Sequence, residues 1–260
     1  MSRTSQETTL RTAKPIGNNW YQISFQPKMP QSYIHHVHSQ PTKVSPDIWK
    51  QWYSEERSRD MVHFKVSSTA AFYQSCSPFF TYLDPPRDGV GEMEFLALYQ
   101  MGRTIPRYLD AYQKNVRVRS RLWDETLGTC FDVAQFASDH LELVEILGSY
   151  AYNEDVAPYI IHAKIIGEEV EAKLQFDHVN AASRLDGYRR SLLYRSVNPT
   201  GSLPYVILLH EFDSDPGNVA GVQKDMEGIE PSQDCAFQLR SFKLLDAEGF
   251  DGECRRPERL

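Results

Sequence analysis

The side chains most able to do chemistry in this sequence are its eight histidines. Three of them, His35, His36 and His38, lie in a segment rich in Tyr, Ile and Val that is typical of a β-strand. Side chains alternate between the two faces of a strand, so His36 and His38 share one face and His35 lies on the other. Imidazole is the natural general acid or base near neutral pH.

A second strand-like segment, Tyr159 to Ile166, repeats this arrangement with His162 and Lys164 in the matching places. Its alternate residues are mostly apolar and suit packing against helices. The alternative for any single histidine is that it only satisfies hydrogen bonds at a strand end. We predict that four catalytic side chains point together into an interior cavity: His36, His38, His162 and Lys164.

Four further side chains are predicted to bind the substrate in that cavity. Tyr99 and His210 hold equivalent positions in two strand-like segments, and Tyr73 and Tyr194 end two other segments that resemble each other. A few polar groups in an apolar cavity are how small-molecule sites fix the orientation of a ligand. The alternative for Tyr99 and His210 is an ordinary place in the core.

The common cofactor fingerprints are absent from the sequence. No glycine-rich phosphate loop follows a strand, and no Gly-x-Ser-x-Gly elbow occurs. No pair of histidines has the helix spacing of a zinc protease, and the four cysteines are too far apart for a zinc site or a disulfide framework. We therefore predict an active site that uses neither a cofactor nor a metal.

The elements that would position these residues come in two similar series. Residues 30–150 give the order strand, helix, strand, strand, helix, strand, and residues 151–245 repeat it. This is the order of the ferredoxin-like α+β unit, a four-stranded antiparallel sheet with helices on one face. Two such units can cover each other's bare sheet faces. The sequence predicts tandem ferredoxin-like repeats that form a pseudo-two-fold α/β barrel within one chain, with two independent domains as the alternative.

The two ends of the chain differ in composition from these repeats. Residues 1–29 are predicted to be an N-terminal arm or tail. Residues 246–260 are rich in charged residues and glycine and are predicted to be a disordered tail.

Charge and hydrophobicity exclude several function classes. The chain has 260 residues, is 41% hydrophobic and carries a net charge of −7, which disfavours nucleic acid and anionic membranes as partners. Its apolar runs are too short to span a bilayer, and its N-terminus lacks a secretory signal. We expect a cytoplasmic monomer or homodimer whose partner is a small apolar metabolite.

One helix carries a family resemblance. Trp52-Tyr53-Ser54-Glu55-Glu56-Arg57 resembles the Trp-Tyr-x-Glu-Glu-His helix of fungal EthD-like proteins, members of the dimeric α/β-barrel superfamily. Residues 71–73, 95–99 and 207–211 also fit. Arg57 departs from the family, which has histidine there, and the matching helix of the second half lacks the Trp-Tyr pair. The charged residues of 55–60 are expected to form a solvated helix face.

The resemblance implies a small-molecule pocket, because the superfamily includes cofactor-free monooxygenases, lactone isomerases, polyketide cyclases and heme proteins. With the predicted histidine cavity it favours a cofactor-independent tailoring enzyme of natural-product pathways. Its reaction would be a Diels–Alder-type or aldol-type cyclisation, or an isomerisation, of a polyketide- or terpenoid-derived intermediate. The alternatives are a decarboxylase or dehydratase acting on the same substrates, and a non-catalytic small-molecule binding protein.

Overall fold

The computed structural model describes residues 33–76, 80–82, 93–101, 105–148, 156–166, 172–197, 205–217 and 236–249. The strands of this part of the chain are β1 (Tyr33–Pro41), β2 (Thr69–Ser75), β3 (Phe80–Tyr82), β4 (Phe95–Met101), β5 (Ala134–Leu147), β6 (Tyr159–Ile166), β7 (Tyr188–Ser196), β8 (Tyr205–Phe212) and β9 (Ala236–Glu248). The helices are α1 (Pro46–Trp52), α2 (Ser58–His63), α3 (Ile105–Asn115), α4 (Cys130–Val133) and α5 (Ala172–Ala182). A π-helical turn (Tyr53–Arg57) joins α1 to α2.

Eight of the strands form a closed antiparallel β-barrel. Their order is β2-β4-β1-β5-β7-β8-β6-β9, and β9 closes the ring by pairing with β2, with Ala70 opposite Glu248. The short β3 adds to β9. The predicted α+β barrel is therefore confirmed. The alternative of two independent domains is wrong, because β5 pairs with β7 and β2 pairs with β9 across the two halves.

The two halves of the barrel have the same relative strand order. In each half the first and fourth strands are neighbours, and the third strand separates the first from the second. As a result, β1 and β6 lie four places apart in the ring of eight and face each other across the interior.

Alternation along each strand divides the side chains between the barrel interior and the helices outside. On β1, Ile34, His36 and His38 point inward, whereas His35 and Val37 face the helices. A barrel of eight strands is just wide enough for side chains to fill it. The interior is packed by a buried apolar cluster that includes Ile34, Tyr73, Leu96, Leu141, Ile160, Leu192, Tyr194, Leu209, Phe242 and Leu244.

The helix that carries the family resemblance begins as the sequence predicts. Pro46 occupies the first turn of α1, and the backbone N–H of Ile48 donates to Ser45 Oγ at 3.3 Å. Trp49 and Trp52 are fully buried, and the core cluster on this side of the sheet contains both. The first half of the barrel therefore has an aromatic helix layer.

The prediction of a solvated charged face on this helix is wrong for three of the five charged residues of 55–60. Glu56, Arg57 and Asp60 are only 4%, 7% and 6% exposed. The π-helical turn adds a residue per turn and rotates the following side chains about the helix axis. Asp60 then accepts hydrogen bonds from Arg117 Nε at 2.9 Å and Nη2 at 2.8 Å.

One predicted boundary, the start of the disordered tail at residue 246, differs from the structure. Strand β9 runs to Glu248, so residues 246–248 belong to the barrel and are not part of a disordered tail. They pair with β2, and Asp246 and Ala247 are buried. The arm 1–29 and residues 250–260 lie outside the described residues. Among the residues described, no helix is long and apolar enough to cross a membrane.

A glycine at the end of β9 gives a first prediction. Gly249 has φ +81°, and a Cβ there would lie 2.4 Å from the carbonyl oxygen of Ser68. We expect Gly249→Ala to destabilise the protein by about 2–4 kcal/mol, from left-handed strain plus overpacking. Denaturant unfolding measures the loss. Gly217→Ala is the matched control, because its φ is +69° but nothing lies within 4 Å of the added Cβ. Equal losses in the two variants would contradict the prediction.

Candidate active site

Inward-pointing side chains from opposite walls meet in the middle of the barrel. His36 of β1 and His162 of β6 are 126 positions apart in the sequence, yet their Nε2 atoms share a hydrogen bond of 3.0 Å. His38 completes the group, and one ring nitrogen from each of the three histidines lies within 4.8 Å of the others. We call His36, His38 and His162 the histidine cluster. Three of the four predicted catalytic residues form this cluster, and the fourth, Lys164, lines the cavity beside it.

Ring packing holds the histidine cluster in one arrangement. The rings of His36 and His162 stack at a centroid distance of 5.1 Å, and His38 meets both of them edge-on at 4.7 and 5.3 Å. Phe242 of β9 lies 6.0 Å from His38 and 6.2 Å from His162. Each histidine is at most 8% exposed. The imidazoles are therefore pre-positioned.

The histidine cluster borders a cavity of about 40 Å³. Its wall also includes Asp139 of β5, Lys164 of β6, and Gln238 and Arg240 of β9. A bound water needs about 10–15 Å³ of such space. The cavity therefore has room for about three waters or for the head group of a substrate.

Burial controls the charge of the histidine cluster. It is the main reason why the pKa of His38 is lowered to about 3, with Arg240 and Lys164 adding repulsion. Burial also lowers the pKa of His36 and of His162 well below the usual value, and the neighbouring histidines and Lys164 lower both further. At neutral pH each ring is uncharged, with one N–H donor and one acceptor nitrogen.

The cavity wall carries charges of both signs. The ammonium group of Lys164 lies over the ring of Tyr205, with Nζ 4.4 Å from the ring centroid. Arg240 Nε donates to Ser75 Oγ at 2.6 Å, which fixes the guanidinium at the wall. Asp139 lies directly opposite His36 in the pairing of β1 with β5. Two cations and one carboxylate therefore surround the neutral imidazoles.

Asp139 is not among the residues predicted for the site. It lies on β5, which begins at Ala134 and pairs with β1. Its side chains alternate, and the pairing register with β1 puts Ala137 and Asp139 beside His38 and His36. The histidine pattern of β1 was the available signal, because the partner strand has to present side chains to the same face.

Tyr73 and Tyr194, predicted to bind substrate, point into the barrel but do not line the cavity. Both are buried in the apolar cluster of the interior. The hydroxyl of Tyr73 donates to the carbonyl oxygen of Ala157 at 3.3 Å. Burial is the main reason why the pKa of each phenol is raised. Their position is that of buried core tyrosines.

The prediction that Tyr99 and His210 reach the cavity is wrong. On β4 and β8 they fall on the outer face, between the sheet and the helices, because the inward positions of these strands are one residue away. His210 Nδ1 hydrogen-bonds with Ser191 Oγ at 2.6 Å, and its ring lies 6.1 Å from that of His178. The alternative of an ordinary core position holds for both residues.

A second polar cluster lies on the helix side of the first half. His35 Nδ1 hydrogen-bonds with the hydroxyl of Tyr108, and Arg57 Nη2 donates to the hydroxyl of Tyr112. The guanidinium of Arg57 also lies over the rings of Tyr112 and Trp52, at 4.8 and 5.6 Å. Arg57 Nε and Nη1 find no hydrogen-bond acceptor within the described ranges.

Comparison with known proteins gives remote structural likenesses. No protein-family model matches the chain, and no curated protein matches it. An anthrone oxidase-like protein is 9% identical over 88% of this chain and 97% of its own, with a TM-score of 0.46. A candidate chlorite dismutase is 11% identical over 84% and 96%, with a TM-score of 0.47.

A third solved structure, a candidate monooxygenase from Lactobacillus acidophilus, is 9% identical over 82% of this chain and 94% of its own, with a TM-score of 0.41. Likenesses this remote do not indicate an activity. The chemistry of the cavity has to be inferred from its side chains.

Proposed function

We propose that the protein is an enzyme that moves a proton next to a carbonyl group of a small metabolite and so isomerises it or closes a ring within it. The observation that carries this proposal is the 3.0 Å contact between His36 and His162 beside a cavity whose wall also holds Asp139 and Lys164. Donors and a proton acceptor thus share one enclosed space.

The donors suit the oxygen of a carbonyl group. Enolisation places negative charge on that oxygen, and preorganised N–H groups in a site of low dielectric stabilise such charge strongly. The neutral imidazoles offer N–H groups, and Lys164 adds a positive charge at the wall. Donors of this kind are typically worth about 100- to 1,000-fold in rate.

Asp139 is the proposed proton acceptor. Because burial lowers the pKa of the three histidines, their rings bind a proton poorly and are weak bases at neutral pH. The carboxylate of Asp139 lies opposite His36 on the wall of the same cavity, where it is placed to take a proton from a bound substrate. We therefore assign the imidazoles to hydrogen-bond donation, which revises the role of base that their residue type first indicates.

The size of the cavity favours some of the reactions considered from the sequence over others. A Diels–Alder-type cycloaddition would need the whole flexible substrate folded inside the barrel. A space of about 40 Å³ holds only a head group. Acid–base isomerisation or aldol-type cyclisation fits, since it needs only the carbonyl end of a polyketide- or terpenoid-derived metabolite at the donors. A decarboxylation or dehydration at that end would use the same groups.

We also propose that the barrel consists of two fused ferredoxin-like units and that the chain is an EthD-like relative of the dimeric α/β-barrel proteins. The matching strand order of the two halves supports the first part. The burial of the Trp52-Tyr53 pair that carries the resemblance is compatible with the second.

The function predicts catalysed deuterium exchange at the carbon next to a carbonyl. We expect the full-length protein to accelerate this exchange in small diketones, followed by proton NMR in deuterated buffer. Asp139→Asn should lower the rate by about 100- to 10,000-fold, because it removes the proton acceptor. Lys164→Met should lower it by about 100-fold through lost charge stabilisation.

Asp110→Asn and Lys114→Met are the matched controls, since they make the same changes in an exposed ion pair on α3. Both should keep the wild-type rate. A rate that Asp139→Asn leaves unchanged would remove the assigned base. Saturable binding of diketones with no exchange above background would favour the binding-protein alternative over an enzyme.

A further inference from the structure

We propose that His36, His38 and His162 form a metal-binding site that takes one first-row transition-metal ion, such as Zn²⁺ or Co²⁺, inside the barrel. The inference rests on the proposed function only for the role of the ion. In that role, a bound ion would polarise the carbonyl oxygen more strongly than neutral N–H groups do. Imidazole nitrogen is a favoured ligand for Zn²⁺, and the same ring suits copper, iron and nickel.

The distances within the histidine cluster are close to those of a coordination sphere. Zinc binds histidine nitrogen at about 2.0–2.1 Å, so two ligand nitrogens at the tetrahedral angle lie about 3.4 Å apart. The Nε2 atoms of His36 and His162 are already 3.0 Å apart. No pair of ligand nitrogens in the cluster exceeds 4.8 Å, so the largest closing movement needed is about 1.4 Å.

The three rings leave hydrogen-bonding capacity that an ion would use. The Nε2 atoms of His36 and His162 hydrogen-bond to each other, and an ion bound to both would replace the proton that they share. His38 is 8% exposed, and its Nδ1 finds no hydrogen-bond partner in the described part of the chain. A buried polar atom without a partner destabilises the folded protein. Interior packing alone would be served better by apolar rings, so the cluster points to a ligand.

The cavity beside the histidine cluster provides the remaining coordination position. Three histidines and one open position are the ligand set of a catalytic zinc site. About 40 Å³ accommodates a water or a substrate oxygen as the fourth ligand. Asp139, which lines the same space, can accept a hydrogen bond from that water.

The charges around the cavity set the kind of fourth ligand. Lys164 and Arg240 repel a divalent cation and weaken its binding. An anionic fourth ligand, such as hydroxide or an enolate, offsets that repulsion.

Titration of the chelator-treated, full-length protein with CoCl₂ tests the site. We expect one Co²⁺ per chain with the strong visible absorption of a tetrahedral ion, and competition by Zn²⁺. The melting temperature should rise with the concentration of ZnCl₂, because the ion binds the folded state. His36→Ala should abolish the absorption. His38→Asn should weaken binding by at least about 10- to 100-fold, the loss that even outer-shell changes cause.

His63→Ala is the matched control, because it removes an exposed histidine at the end of α2. It should leave binding unchanged. If His36→Ala does not fold, His38→Asn decides the matter, because it keeps the pair of His36 and His162 intact. Absence of saturable binding to the wild type, unchanged absorption in His36→Ala, or unchanged affinity in His38→Asn would overturn the metal site.

The two proposals fail separately in these experiments. Metal binding is measured without a substrate, so it stands even if Asp139→Asn leaves deuterium exchange unchanged. Conversely, exchange that requires Asp139 in protein that binds neither Co²⁺ nor Zn²⁺ would overturn the metal site and leave the proposed function in place.

Discussion

Lowering the pH from 7 to 5 is expected to reduce the free energy of unfolding by several kcal/mol. Burial lowers the pKa of His38 and of His210 to about 3 in the folded protein, against about 6.5 in the unfolded chain. Each of these two residues alone should cost about 2 kcal/mol over that interval.

The direction of the effect follows from proton uptake. Between about pH 6.5 and 3 the unfolded chain binds a proton at each of these histidines, and the folded protein does not. Stability is therefore unaffected by them above pH 7 and falls as the pH drops through this range. Burial also lowers the pKa of His35, His36, His162 and His178, so these residues act in the same direction.

Guanidinium unfolding at pH 7 and pH 5 measures this slope. His210→Asn is the informative variant, because it removes one of the two residues and lies away from the histidine cluster. The wild type should lose about 2 kcal/mol more than His210→Asn between the two pH values. Parallel losses in the two proteins would contradict the assignment.

Removing one indole from the aromatic helix layer should cause the largest loss of stability from a single substitution. Trp52 is 1% exposed, and its ring centroid lies 4.6 Å from Trp49, 4.9 Å from Tyr53 and 5.5 Å from Trp123. We expect Trp52→Ala to cost about 3–5 kcal/mol, since it leaves a large cavity among rigid rings.

Chemical denaturation followed by circular dichroism measures this loss. Phe131→Ala is the matched control, because it truncates an aromatic ring that is 58% exposed. Its effect should stay within about 0.5 kcal/mol. Similar effects of the two substitutions would mean that the aromatic layer does not stabilise the barrel.

Strand periodicity predicted part of the site. Alternation on β1 and β6 put His36, His38 and His162 on one inner face, because residues two positions apart on a strand point to the same side of the sheet. The same alternation explains why the predictions for Tyr99 and His210 failed. Tyr99 and His210 were matched to each other correctly, but nothing in their own segments fixes which face of β4 or β8 is the inner one.

Other features lay beyond local patterns. The contact between His36 and His162 depends on two strands facing each other across a closed ring, and no spacing in the sequence records that. The burial of Glu56, Arg57 and Asp60 depends on a π-helical turn, which departs from the regular period on which helix patterns rely. A buried charge also needs a partner from a distant part of the chain, as Asp60 has in Arg117, and no local pattern identifies that partner.

The position of β9 in the barrel bears on how the chain folds during synthesis. Its residues, 236–248, leave the ribosome after every other described strand, yet β9 pairs with β2, β3 and β6. Until it arrives, the facing edges of β2 and β6 cannot be joined, and unpaired edges are templates for aggregation. Nascent chains that stall before residue 236 should therefore depend on chaperones. The barrel has no unpaired edges at β2 and β6 only after its last strand has been translated and has paired.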